Sequence, residues 1–296
     1  MEATLNIDFF LKVNIIITKS VLNKNKKMDY KLVFERLWED YITNNPHAKK
    51  VYDLFLSEGE QVVNDHIAFR TFNDKRININ VLARVFIEND FVEMGTYFFE
   101  NKHLFAKHYE HKFDKKAPRV FISELILEDF SSEFQRIIKN EIDKISTEML
   151  ISDKLIYSGN VWSKPSFAVY EKLRQESEYA AWVYVFGFRA NHFTVSVTDL
   201  IKLNSIEKVN QFLKDNGFLI NSVDGEINGS PAELLEQSSI KSGLISIEFE
   251  EGNYDVPSCY YEFAKRYHDK DGNLYSGFIA KSADKIFEST DFYKEK

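Results

Sequence analysis

Apolar positions change their spacing several times along the 296 residues, and the changes divide the chain into helical and extended stretches. Residues 29–58 carry Leu32, Phe34, Leu37 and Tyr41, then Val51, Leu54 and Phe55, at helical spacing, with a break at residues 44–46. A strand is expected over 65–72, a helix over 78–89 with Val81, Leu82, Val85 and Phe86 on one face, and strands over 91–99, 102–111 and 119–127. Residues 130–186 read as helical: Phe134, Ile137, Ile138 and Ile142 share a face, and a second helix covers 168–185. The extended pattern then returns, with a strand over 188–197, a helix over 205–216 closed by Gly217, and strands over 218–227, 242–250 and 258–267.

Strand, helix, strand, strand, strand thus occurs twice, over 65–127 and 188–267, around the helical insert 130–186. The reading is α+β: two βαβββ units forming one curved sheet around a cleft, with flanking and inserted helices. A single catalytic domain over 28–296 is expected, its segment 268–296 closing the pocket. Paired βαβββ units resemble the vicinal oxygen chelate superfamily, whose metal ligands lie on the first and last strands of each unit. Here the first strands carry His66 and His192, and the last strands carry Glu124 and Glu262, at nearly matching offsets.

Composition narrows the partners. The net charge is −8 and no long basic tract occurs, so a nucleic-acid surface is not expected. The apolar run 9–18 is interrupted by Lys12 and is far shorter than the roughly 20 residues that span a bilayer. An acidic start and a basic stretch after the run argue against a signal peptide, and Met28 offers a second start, so residues 1–27 read as an extension. A single cysteine, Cys259, excludes an intrachain disulfide, and the cytoplasm is the expected location. Cys259 precedes Glu262 by an odd interval, faces away from it in a strand, and reads as a core residue.

Two imidazoles and a carboxylate on one face of iron(II) leave open positions. A 2-oxo acid fills two of them through its keto oxygen and carboxylate, and O2 the third. Arg70 lies on the same strand face as His66 and suits a bidentate grip on a substrate carboxylate, with a salt bridge as the alternative. His103, His108 and His111 read as pocket wall or supporting groups rather than a zinc site, and His47 and His268 stand alone. Residues 269–273, with Gly272, read as a tight turn rather than a calcium loop.

The strings DHIAFRTF, KHL, VFISEL, NHFT, YYEFAKRY and GFIAKSADKIFEST, in this order over about residues 30–292, resemble the DUF1338 family of 2-oxoadipate dioxygenase/decarboxylases. The resemblance implies iron(II) held by His66, His192 and Glu262, and a carboxylate held by Arg70. It places Ser282, with Lys281 before it, in the substrate pocket. It implies conversion of 2-oxoadipate and O2 to 2-hydroxyglutarate and CO2, a step of lysine breakdown. The chain is shorter than the long bacterial members, and its segment between Glu262 and Ser282 is compact. Glu124 falls outside the family's three ligands and is expected, with His103, to support them. Two rivals remain: a metal-dependent lyase or isomerase using Glu124 as base or fourth ligand, and a small-molecule-binding protein without catalysis.

Overall fold

The structure is a computed structural model that describes residues 29–222 and 225–279. The expected extension 1–27, Met28, Lys281 and Ser282 lie outside the described residues. Strands in chain order are β1 (Asn64–Phe72), β2 (Phe91–Phe99), β3 (Leu104–His111), β4 (Arg119–Leu125), β5 (Ala190–Ser196), β6 (Asn228–Ser230), β7 (Leu235–Ser239), β8 (Leu244–Phe249), β9 (Gly252–Pro257) and β10 (Glu262–Arg266). Eight of them form one sheet in the order β2-β3-β4-β1-β5-β10-β7-β6, curled into a half-barrel.

That order is its own mirror. The first unit contributes β2-β3-β4-β1 and the second β5-β10-β7-β6, so β1 and β5 meet at the centre as an antiparallel pair. Each is flanked by the last strand of its own unit, running parallel to it. The expected α+β class and paired units are therefore present, and the two central strands bring His66 and His192 together from distant parts of the chain.

The helices start where a short polar side chain can take an orphan amide. Asn78, Ser131, Ser166, Ser177 and Ser205 each accept from a backbone N–H of the following turn. The expected helix over 168–185 is in fact two, Phe167–Glu176 and Glu178–Phe186. Ser177 is extended between them and caps the second. This second helix is buried on every face and lies against β1.

The second unit departs most from expectation. Among the described residues of 218–227 there is no regular strand; Ile220 makes one isolated bridge to Ile240. The two outer strands of this unit are β6 and β7, whose polar residues Gln237, Ser238 and Ser239 are all buried. Hydrophobic patterning misses such a strand because its buried side chains are satisfied by hydrogen bonds, as with Ser238 donating to Asn210. The strand expected over 242–250 is β8, which pairs only with β9 in a separate hairpin inserted before β10. Tyr254 of that hairpin stacks on Phe167 of the helical insert with ring centroids 3.7 Å apart.

Gly187 ends the helix Glu178–Phe186 at φ +64°, and a Cβ there would meet the Gly159 carbonyl oxygen at 2.1 Å. Neither the dihedral nor the space admits a side chain. Gly187→Ala is therefore expected to destabilise the fold by about 2–4 kcal/mol, read as a lower midpoint in urea denaturation; an unchanged midpoint would contradict this packing.

Candidate metal centre

The centre of the sheet is irregular at two matched places. Asn64 pairs with Val195 and His66 with Thr194, which leaves Asp65 as an extra residue on β1. Ala68 pairs with His192 and Phe69 with Ala190, which leaves Asn191 extra on β5. A bulge breaks strict alternation, so each bulged residue can turn beside the histidine that follows it. Asp65 Oδ1 accepts from His66 Nδ1 at 2.8 Å, and Asn191 Oδ1 from His192 Nδ1 at 3.0 Å. Fixing the proton on Nδ1 leaves the Nε2 lone pair of both rings available for a metal ion.

Both Nε2 atoms face Glu262, the first residue of β10. His66 Nε2 is 3.4 Å from Oε1 and His192 Nε2 is 3.3 Å from Oε2. One ligand atom from each of the three lies within 4.8 Å of the others, a spacing that fits one divalent ion. Gln237 Nε2 donates to Glu262 Oε1 at 2.6 Å. The Thr194 hydroxyl lies 3.0 Å from His66 Nε2. The flanking helices hold the approach to β10: Tyr41 donates to the Tyr260 carbonyl at 2.6 Å, and Asn45 Oδ1 accepts from Cys259 N at 3.0 Å.

Burial sets the charge state. It lowers the pKa of His66, against the pull of Asp65, and lowers that of His192 well below the usual range. It raises Glu262 to about 8, even with the hydrogen bond from Gln237 opposing. Neutral imidazoles and a buried carboxyl that ionises reluctantly form a donor set that a dication stabilises.

Asp65 differs from Glu262 although it too is buried. Burial alone would raise it, but Arg266 holds it well below the usual carboxylate range. Arg266 Nε and Nη2 donate to its two oxygens at 2.7 and 2.9 Å. The same guanidinium donates through Nη1 to the carbonyls of Tyr275 and Gly277, at 3.2 and 2.7 Å. It thereby fixes Phe278, whose ring lies 4.8 Å from that of His66 and 4.9 Å from that of Phe121. Phe278 N also donates to Tyr97 Oη, and that hydroxyl contacts His108 Nδ1 at 2.8 Å.

A cavity opens beside the three ligand candidates. It is lined by Ala68, Arg70, Phe121, Ser123, Asn191 and Phe278, among others. Arg70 is buried, with its guanidinium 5.0 Å from the Tyr179 ring and 5.3 Å from that of Trp182, both on the inserted helix.

Two expected supporting residues are elsewhere. Glu124 pairs with Thr71 and points to the other face of the sheet, where Oε2 accepts from Ile79 N at the start of a helix. The register explains why the repeat misassigned it: Glu262 pairs with Thr194, and the symmetric partner of that pair is Ala68 with Phe121. Phe121, not Glu124, occupies the place matching Glu262. His103 sits in a left-handed turn and pairs with Asp129 at 3.0 Å on the surface. Of its neighbours, His108 reaches the pocket wall, while His111 Nδ1 accepts the turn amides of Phe113 and Asp114. Cys259 is a buried core residue whose thiol burial pushes up to about 12, and Gly272 lies in a tight turn at φ +81°. Gln237, Asp65 and Asn191 escaped the sequence reading; an acidic or amide residue before each histidine was the available signal.

Across residues 33–269 the chain matches the family model described as 2-oxoadipate dioxygenase/decarboxylase. It is 33% identical, over 298 residues, to the Oryza sativa subsp. japonica protein named 2-oxoadipate dioxygenase/decarboxylase, covering 91% of this chain and 80% of that one. The chain belongs to this family. The rice hydroxyglutarate synthase solved in complex with 2-oxoadipate superposes with a TM-score of 0.83 at 33% identity, over 89% of this chain and 92% of its own. A Shewanella frigidimarina structure named as a hydrolase is 49% identical, with a TM-score of 0.80 over 85% of this chain and 98% of its own. A glyoxalase superfamily protein from Ralstonia eutropha, at 19% identity and TM-score 0.68 over 82% of this chain and 83% of its own, shares the fold.

Two outcomes follow from this geometry. Because Glu262 holds its proton up to about pH 8 without a cation, metal binding must expel it. Affinity for a divalent ion should rise through pH 6–8 with about one proton released per ion and level off above; calorimetry in buffers of different ionisation enthalpy measures this, and no proton release would contradict it. Arg266→Met leaves the buried Asp65 carboxylate with only the more distant guanidinium of Arg119, 3.5 Å away, as cationic partner, and should cost about 3–5 kcal/mol in chemical denaturation. Asp65→Asn in the same chain should recover part of that loss.

Proposed function

We propose that this family member is an iron(II)-dependent dioxygenase that converts 2-oxoadipate and O2 to 2-hydroxyglutarate and CO2, with His66, His192 and Glu262 as the metal ligands. The observation that carries the reading is the buried group of two neutral imidazoles and one carboxylate beside a small cavity that also holds a guanidinium. The relatives' names and the 2-oxoadipate complex of the rice protein supply the substrate. Lysine breakdown is the expected context.

His66, His192 and Glu262 would hold the iron(II), which would supply the redox chemistry that O2 activation needs. The chain's own groups do the rest. Asp65 and Asn191 keep both histidines in the ligating tautomer. Gln237 orients the Glu262 carboxylate. Arg70 holds a substrate carboxylate, its position set by Tyr179 and Trp182. Phe69, Phe121 and Phe278 exclude water from the reacting carbons, so that both oxygen atoms of O2 enter the products. Ser282 and Lys281, which lie outside the described residues, are assigned to the pocket through the family resemblance alone.

A lyase or isomerase with four protein ligands loses the residue it needs, since Glu124 faces the other side of the sheet. Hydrolysis, the reaction class in the Shewanella protein's name, consumes no oxygen. An oxygen electrode therefore separates the readings. Anaerobically iron-loaded protein should consume one O2 per 2-oxoadipate and form 2-hydroxyglutarate, and His192→Ala should reduce the rate by at least about a hundredfold. Metal-loaded protein that takes up no O2 with any 2-oxo acid would overturn the dioxygenase reading. Arg70→Lys should raise KM for 2-oxoadipate by roughly tenfold or more, because an ammonium cannot reproduce the paired guanidinium donors; an unchanged KM would remove Arg70 from substrate binding.

A further inference from the structure

Asp65 and Asn191 occupy matched bulges and do the same thing for their histidines, but they differ in one atom. Asp65 presents a second oxygen, which the guanidinium of Arg266 takes. Asn191 presents Nδ2 in the corresponding position. Its Oδ1 is committed as the acceptor from His192 Nδ1, since Nε2 of that ring faces Glu262. The amide nitrogen is therefore a donor by necessity and not by an arbitrary choice of flip.

That donor finds no acceptor among the described residues, although Asn191 is 1% exposed. A buried amide N–H left without an acceptor is costly, and native proteins keep few of them without a function. Asn191 also lines the cavity, where the guanidinium of Arg70 is its cationic neighbour. Register places the two close together, because Asn191 is the bulged residue opposite the Ala68–Phe69 step and Arg70 follows directly. Among the described residues, the one carboxylate lining the cavity, Glu262, is held by Gln237 on the other side of the His192 ring.

Distance from the ligating atoms decides which part of a substrate the amide meets. Asn191 binds the nitrogen of His192 opposite the one that faces Glu262, so it lies a full imidazole width beyond the ligating position. A group chelating at that position cannot reach it, whereas the far end of an extended dicarboxylate can. We propose that Asn191 Nδ2 joins Arg70 in binding the carboxylate remote from the metal, and so makes the site select dicarboxylic over monocarboxylic 2-oxo acids. The inference rests on the 2-oxo acid reading above and adds to it a residue that discriminates between substrates.

Asn191→Asp is the informative substitution. It keeps an oxygen for His192 Nδ1 and replaces only the donor, with a negative atom. The readout is anaerobic calorimetric binding to iron(II)-loaded protein of 2-oxoadipate and of 2-oxohexanoate, which has the same carbon chain without the far carboxylate. The variant should hold iron(II) no more weakly than the parent. Its preference for 2-oxoadipate over 2-oxohexanoate should fall on the order of tenfold or more, the scale of one charge-assisted hydrogen bond. Asn191→Ala, compared at equal iron loading, should move the preference in the same direction. Equal weakening of both acids in both variants would mean that the amide acts only through His192, and unchanged preference would mean that it meets no carboxylate; either overturns the proposal. A parent protein that binds neither acid would instead overturn the functional reading beneath it.

Discussion

Asp65 and Arg266 form a buried, two-pronged ion pair between the two repeated units, and most of the site depends on it. Burying either charge alone would be prohibitive, and the pair is tolerated because every strong donor and acceptor is used. The carboxylate takes two bonds from Arg266, one from His66 and a longer one from Arg119 at 3.5 Å, and the remaining guanidinium nitrogen of Arg266 is spent on two carbonyls of the segment that carries Phe278. One interaction thus orients a ligand candidate, ties β1 to the strand that carries Glu262, and sets the aromatic cover of the cavity. A lysine at position 266 could not serve all of these partners from a single ammonium.

Around this pair the repeat is symmetric in backbone and asymmetric in chemistry. The two bulges match, as do the two histidines. Elsewhere the first unit presents Phe121 where the second presents Glu262, and the second presents Asn191 where the first presents Asp65. A symmetric site would surround a metal with four protein ligands. The apolar residue at Phe121 removes one and lines the vacated side with a ring, next to Phe278. The result is a one-sided group of ligand candidates facing a cavity, the arrangement that the proposed binding of a 2-oxo acid and O2 would need.

Much of this was legible in the sequence because the central strands follow simple rules. β1 and β5 each carry a histidine among apolar and β-branched residues, and the duplicated strand–helix pattern brings them together. The outer strands of the second unit were not legible. Gln237, Ser238 and Ser239 are buried polar residues whose cost is met by partners far away in sequence, and no local pattern records those partners. Glu124 was misplaced for a related reason: equal offsets along the chain do not fix register when the two units differ in loops and hairpins. Asn191 and Asp65 lay beside the histidines throughout, but only a bulge lets adjacent residues share one side of a strand, and bulges leave little trace in composition.

Anomalous diffraction at the iron edge, on crystals grown anaerobically with iron(II) and 2-oxoadipate, tests the account most directly. It predicts one peak bonded to His66 Nε2, His192 Nε2 and Glu262, with the keto acid chelating through its keto and adjacent carboxylate oxygens and its far carboxylate directed toward Arg70. A peak elsewhere in the chain, or one at this site with a fourth protein ligand and no chelated acid, would contradict it.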